Sequence, residues 1–162
     1  TSTTKLLLDM MAAEYEKGFD GFFLDNLDNF GSFGPQKEQK EYLMELLSKM
    51  RNKWPEKQLV QNAGLEMIAE TAAMVNGVIV ESVATDYSFE HRMYRLRKPD
   101  SAFETYAKRL QAVAQTHQLP VYIIEYAHSQ KLKQQVQDRL APYGLEFFIA
   151  NIDLQTLPKF KP

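Results

Sequence analysis

The chain contains no cysteine, which excludes disulfides, thiolate nucleophiles and cysteine-bound metals and indicates no redox compartment. It also lacks a dominant charge: 19 Lys and Arg stand against 21 Asp and Glu, a net charge of −2. That balance gives no electrostatic footprint for nucleic acid. No apolar run approaches the roughly 18 residues that span a bilayer, so no membrane partner is expected. There is no GxGxxG or GxxxxGK[ST] loop to cradle phosphates. The three histidines, His91, His117 and His128, are scattered without HExxH spacing, so zinc is not expected. Ser82 has no surrounding GxSxG elbow. No metal and no cofactor are called for. The chain starts at Thr1 without a charged-then-apolar leader, as expected of a processed product or an excised piece.

What is present is organised around Gly18 to Asn29, GFDGFFLDNLDN. Phe19, Phe22, Phe23 and Leu24 form an apolar run too short for a helix, bounded by Gly18 and Gly21, and read as a buried parallel strand. It stops at Asp25 and Asp28, with Asn26 and Asn29 beside them. The carboxyl end of a parallel strand is where α/β folds collect their chemistry, although Asp and Asn also favour turns and helix caps.

Helical spacing of Leu7, Met10, Met11 and Tyr15 predicts a first helix from Thr4 to Lys17, with its methionines in the core. A second helix carries Tyr42, Leu43, Leu46, Leu47, Met50 and Trp54 and is closed by Pro55. Strands follow at Gln58 to Asn62, Gly77 to Val80 (ending at Glu81), Val121 to Ile124 (ending at Glu125 and Tyr126), and Leu145 to Asn151. Between them lie a short helix from Leu65 to about Ala73, another near Phe89 to Arg97, a long one opened by Asp100 or Ser101, and one from Ser129 to about Ala141. The tail, residues 155–162, is expected to be unstructured, leaving residues 1–154 as one domain.

Strands alternating with helices argue a parallel sheet with right-handed crossovers. About five βα units fit two architectures. One is an open, flavodoxin-like five-stranded sheet, complete at this length. The other is part of an eight-unit (β/α)8 TIM barrel, whose full size is roughly 250 residues.

The segments after the five strands hold Asp25, Asp28, Glu81, Asp86, Glu90, Glu125 and Asp153, with Phe30, Phe33, Tyr87, Phe89 and Tyr126, and no Lys or Arg. Such an edge is expected to be negative and to suit a cationic ligand, a metal, or a sugar that stacks on rings while its hydroxyls meet Asp and Asn. Asp25, Asn26, Asp28 and Asn29 offer oxygen ligands for calcium, but the twelve-residue loop pattern is absent. Asp25 and Glu81 each end a strand, and two carboxylates on different strands are what glycosidic bond cleavage uses. Burial beside Phe23 or Val80 would raise the pKa of whichever serves as acid.

The motif GFDGFFLDNLD, a later strand ending in QNAG, and VNGVIVESV after it resemble the endo-α-1,4-polygalactosaminidases, glycoside hydrolase family 114, over most of the chain. The matching positions are Asp20, Gly21, Phe23, Leu24, Asp25 and Asp28; Asn62 and Gly64; and Val80, Glu81, Ser82 and Val83. Ala63 interrupts the Asn-Gly turn, and Glu125 with Tyr126 stands where relatives often carry Asp-Tyr. The resemblance implies a TIM barrel of which this chain supplies strands four to eight, and a galactosamine-containing exopolysaccharide as substrate. It implies Asp25 as nucleophile and Glu81 as general acid/base, with the order open and inversion possible. Asn26, Asp28, Asn62, Asp86, Tyr87, Glu125 and Tyr126 are the expected substrate-binding residues. It further implies export to the periplasm or outside the cell. An unclosed barrel exposes strand edges, so a missing barrel half or a homodimer through those edges is the expected partner. The competing functions are a non-catalytic polysaccharide-binding module and an open-sheet domain for a small ligand or protein.

Overall fold

Residues Ser2–Glu16 form α1, fifteen residues free of glycine and proline; Gly18 at φ +97° ends the turn that follows. The computed structural model describes residues 2–161. Thr1 and Pro162, outer limits of the expected domain and tail, lie outside the described residues. The chain divides into two units, Thr1–Val78 and Ile79–Pro162.

In the first unit, β1 (Gly21–Leu24) pairs in parallel with β2 (Gln58–Asn62), Gly21 opposite Gln58 and Leu24 opposite Gln61. A side chain at Gly21 would place its Cβ 2.2 Å from the Gln58 carbonyl oxygen, so the glycine permits the two backbones to approach at the start of the ladder. Helix α2 (Lys40–Lys53) buries Leu47 and Met50, each worth about 1.5–3 kcal/mol of apolar burial. After β2 come a 3-10 turn at Leu65–Met67 and the short α3 (Ile68–Thr71). The expected core role of α1 is corrected: Thr4 is its buried residue, while Met10 is 57% exposed. Its apolar contacts concentrate at Tyr15, whose ring lies edge-on to Phe22 and Trp54.

Arg51, near the end of α2, holds this unit together. Its guanidinium donates five hydrogen bonds, two to the Met74 carbonyl and one each to the Pro55 carbonyl, the Lys57 carbonyl and Asn76 Oδ1. The same Asn76 oxygen accepts from the Leu59 amide of β2. A lysine has three donors on one nitrogen and cannot reach acceptors spread around a planar fork. Arg51→Lys is expected to cost about 2 kcal/mol, read as a lower urea midpoint at unchanged slope; an unchanged midpoint would refute this.

Strand β3 (Gly77–Glu81) contains the boundary between the units. In the second unit the segment expected as a helix near Phe89 to Arg97 is instead the turn and return strand of an antiparallel hairpin, β4 (Thr85–Ser88) with β5 (Met93–Leu96). Thr85, Tyr87, Tyr94 and Leu96 alternate with Asp86, Ser88, Met93 and Arg95, a period of two that fits strand better than helix. Arg92 takes φ +49° in the turn. Helix α4 (Ser101–His117) starts at Asp100, whose side chain accepts from the Phe103 amide. It buries Phe103, Ala107, Leu110 and Val113 at helical spacing. Strand β6 (Val121–Tyr126) pairs in parallel with β7 (Glu146–Ala150), joined by α5 (Gln130–Leu140), which Ser129 caps. The tail is not free of structure: Lys161 donates to the His128 carbonyl and accepts from the Gln130 amide.

The main sheet is parallel, with its strands hydrogen-bonded in the order β1-β2-β3-β6-β7. Spatial order therefore follows chain order. A flavodoxin-like sheet has the order 2-1-3-4-5, an order these strands do not take. On β6 and β7, Val121, Ile123 and Ile149 are buried while Tyr122 and Phe148 are 41% and 55% exposed. One face is covered and the other carries apolar side chains in the open. Among the described residues no helix is long and apolar enough to cross a membrane.

Candidate active site

The last residues of β2 and β3, and Asp25 one position beyond β1, are each followed by a backbone turn that L-residues seldom take. Asn26, Ala63 and Ser82 have φ values of 57°, 54° and 57°. A left-handed residue costs about 1–2 kcal/mol in an L-chain and turns it sharply. The turns follow Asp25, Asn62 and Glu81, so each of these side chains stands at an abrupt change of chain direction.

In the first unit Asp25, Asn26 and Asn62 are brought together. Asp25 Oδ1 accepts from Asn62 Nδ2 at 2.7 Å and Oδ2 from Asn26 Nδ2 at 2.9 Å. Both oxygens thus have a neutral donor, which fixes the carboxylate without cancelling its charge. The turn behind Asn62 is fixed in its own right. Buried Gln61 donates to the Ala63 carbonyl at 2.8 Å and accepts from the Thr71 hydroxyl at 2.7 Å. Leu27, buried at 3% exposure, anchors the loop carrying Asp25. Asp28, in the same loop, is exposed.

In the second unit Glu81 and Tyr126 meet: the Tyr126 hydroxyl donates to Glu81 Oε2. Burial above all, then that hydrogen bond and the nearby Glu81 and Glu125 charges, pushes the Tyr126 hydroxyl far above its ordinary range. Glu81 also lines a cleft of about 490 Å³ with Ser82, Arg97, Lys98, Phe103 and Tyr106 among its walls, a size that suits a small ligand.

Two expectations are corrected here. Glu125 is fully buried, with Oε1 accepting from the Ala84 amide and Oε2 from the Thr85 amide and hydroxyl. It binds the Val83–Thr85 backbone and is closed off from solvent; desolvation raises its pKa despite those donors. The base-free edge is the second correction. The return strand β5 delivers Arg95 to Asp86 at 2.6 Å, with Arg97 at 3.9 Å from the same carboxylate. Arg97 also donates to the Ser82 and Thr85 carbonyls. Asp86 is therefore an ion-paired strut of the hairpin. Tyr87 lies edge-on to Phe89 and Tyr94, and Tyr94 stacks on His128 at 5.0 Å. Thr85, Tyr94, Arg97 and Lys98 are functional neighbours that sequence reasoning misses, since they lie in or just after a hairpin whose second strand the spacing does not reveal. Its alternation of side chains was the available signal.

No curated protein sequence matches the chain. Among solved structures, the glycoside hydrolase domain of PelA from Pseudomonas aeruginosa is 24% identical with a TM-score of 0.76, over 96% of this chain and 62% of that one. Aspergillus fumigatus Ega3, in complex with galactosamine, is 16% identical with a TM-score of 0.67, over 98% of this chain and 60% of that one. The chain thus spans about three fifths of the length of both, and at these identities they show a shared fold. A family profile described as glycoside-hydrolase family GH114 matches residues 2–159. That match bears out the resemblance carried by GFDGFFLDNLD, QNAG and VNGVIVESV, and the chain belongs to glycoside-hydrolase family GH114.

Proposed function

We propose that this chain is the part of a glycoside hydrolase that carries its two reacting carboxylates, Asp25 and Glu81, and that the substrate is a galactosamine-containing exopolysaccharide met outside the cytoplasm. The observation that carries this reading is the family match over residues 2–159. It is supported by the placing of both carboxylates at strand ends with neutral donors on them. The galactosamine in the Ega3 complex supports the sugar. In this reading the sequential strand order belongs to the wall of a TIM barrel, of which the chain supplies consecutive strands.

Glu81 gives its proton to the glycosidic oxygen as the bond to the anomeric carbon breaks. Asp25 attacks that carbon, or activates a water to do so, and stabilises the positive charge that develops there. Asn62 and Asn26 keep both Asp25 oxygens in place during the reaction. An amino sugar without its acetyl group is cationic at neutral pH and is drawn to Asp25 and to the exposed Asp28.

The test is to incubate the protein that carries this chain, at its natural length, with an α-1,4-linked galactosamine polymer and to follow new reducing ends. Depolymerisation is expected, with the fully N-acetylated polymer cut at least about tenfold more slowly, an amount that one lost charge contact can supply. Tight binding without new reducing ends would overturn the enzymatic reading in favour of a binding module.

A further inference from the structure

Tyr126 was expected to contact sugar, yet it is only 3% exposed. Its surroundings instead form a support for Glu81. The Tyr126 amide donates to Thr85 Oγ1 at 3.0 Å, and that same hydroxyl donates to the buried Glu125 carboxylate. Because the hydroxyl proton is committed to Glu125, the Thr85 oxygen presents its lone pairs to the Tyr126 amide. Glu125 also holds the amides of Ala84 and Thr85, so the start of β4 and the end of β6 are locked to each other. From that fixed backbone the Tyr126 ring extends through buried surroundings to its hydrogen bond with Glu81.

We propose that Tyr126 is a positioning residue for Glu81, holding one carboxylate oxygen by its hydroxyl and thereby selecting the orientation in which Glu81 meets the scissile bond. The proposal rests on the reading of Glu81 as a reacting carboxylate. The bond is available throughout the working pH range because a phenol, which ordinarily titrates near 10, is protonated there. The cost of losing it appears in the chemical step, since a carboxylate held less firmly spends less of its time aligned with the glycosidic oxygen.

The experiment compares Tyr126→Phe with the unaltered full-length protein on a galactosamine polymer, with Glu81→Gln measured alongside. Tyr126→Phe keeps the ring and its packing. It is expected to lower kcat by about 10- to 100-fold with KM changed less than about threefold. One limb of the pH–kcat profile should also move by about half a unit, because removing a donor from a reacting carboxylate alters its hold on its proton. Tyr126→3-fluorotyrosine, a more acidic phenol of nearly the same shape, should move that limb in the opposite direction and serves as the deciding variant if the phenylalanine protein does not fold. An unmoved profile in both variants, or a raised KM at constant kcat, would overturn the proposal, the latter marking Tyr126 as a sugar contact. If Glu81→Gln is inactive while the tyrosine variants behave as wild type, only the positioning role fails. If Glu81→Gln keeps its turnover, the reading of Glu81 itself fails.

Discussion

Replacing either Asp25 or Glu81 by its amide is expected to lower kcat on a galactosamine polymer by about a thousandfold or more, roughly 4 kcal/mol of barrier. Neither amide can do the work proposed for the acid. Asn at position 25 is a poor nucleophile and a poor base, and it meets Asn62 and Asn26, both of which present Nδ2 donors to that site. One of those donors would then face an NH2 group. Gln at position 81 keeps an oxygen for the Tyr126 hydroxyl but has no proton to give the leaving oxygen. The two losses should not add in the double variant, because groups that act in one step fail as a unit. The measurement is initial-rate release of reducing ends, with thermal unfolding as the check that each variant is folded. Turnover within tenfold of wild type in either amide variant removes that residue from the chemistry.

The second large effect concerns stability. Glu125→Ala leaves the amides of Ala84 and Thr85 and the Thr85 hydroxyl without their buried acceptor. The expected loss is about 3 kcal/mol, or roughly 6–12 °C in Tm for a chain of this size. Glu125→Gln is milder in shape but conflicted in chemistry, since both carboxylate oxygens accept from backbone amides and one would be replaced by NH2. The pH dependence has a definite sign. Desolvation raises the folded-state pKa of Glu125 above its ordinary value of 4.5. Between that value and the raised one the folded state holds more protons than the unfolded state, so the contribution of Glu125 to stability falls as pH rises. The Tm advantage of wild type over Glu125→Gln should therefore be greatest near pH 4.5 and shrink as pH rises through the folded-state value. An advantage that grows over this window contradicts the assigned environment.

The difference between Glu81 and Glu125 shows how far the sequence could be read. Both stand at or near the carboxyl end of an apolar strand, and the rule that such ends collect chemistry selects both. Side-chain parity separates them. Glu125 follows Val121 and Ile123 on their buried face, while Glu81 falls on the opposite parity from buried Val78 and Val80. Parity alone was not decisive, because Ile79, Tyr122 and Ile124 make the other face apolar as well. The parallel strands were legible because each is a short apolar run closed by Asn, Asp, Glu or Gly, and the caps at Asp100 and Ser129 were legible by their chemistry. The hairpin was not. Its aromatic and arginine residues also suit a helix, and strand ends say nothing about an antiparallel strand that returns Arg95 and Arg97 to Asp86. Arg51 was hidden for a related reason: its acceptors are mostly backbone carbonyls, which no side-chain motif records.

The three left-handed turns at Asn26, Ala63 and Ser82 bear on how this protein can be improved. Each is held by a bond from outside the turn or beside it: Asn26 to Asp25, Gln61 to the Ala63 carbonyl, Arg97 to the Ser82 carbonyl. A glycine at any of them would relieve torsional strain while loosening the mounting of a polar side chain at the rim. If Asp25 and Glu81 react as proposed, heat tolerance and turnover are thus set against each other at these positions. Engineering for durability belongs on exposed helix positions away from Asp25 and Glu81.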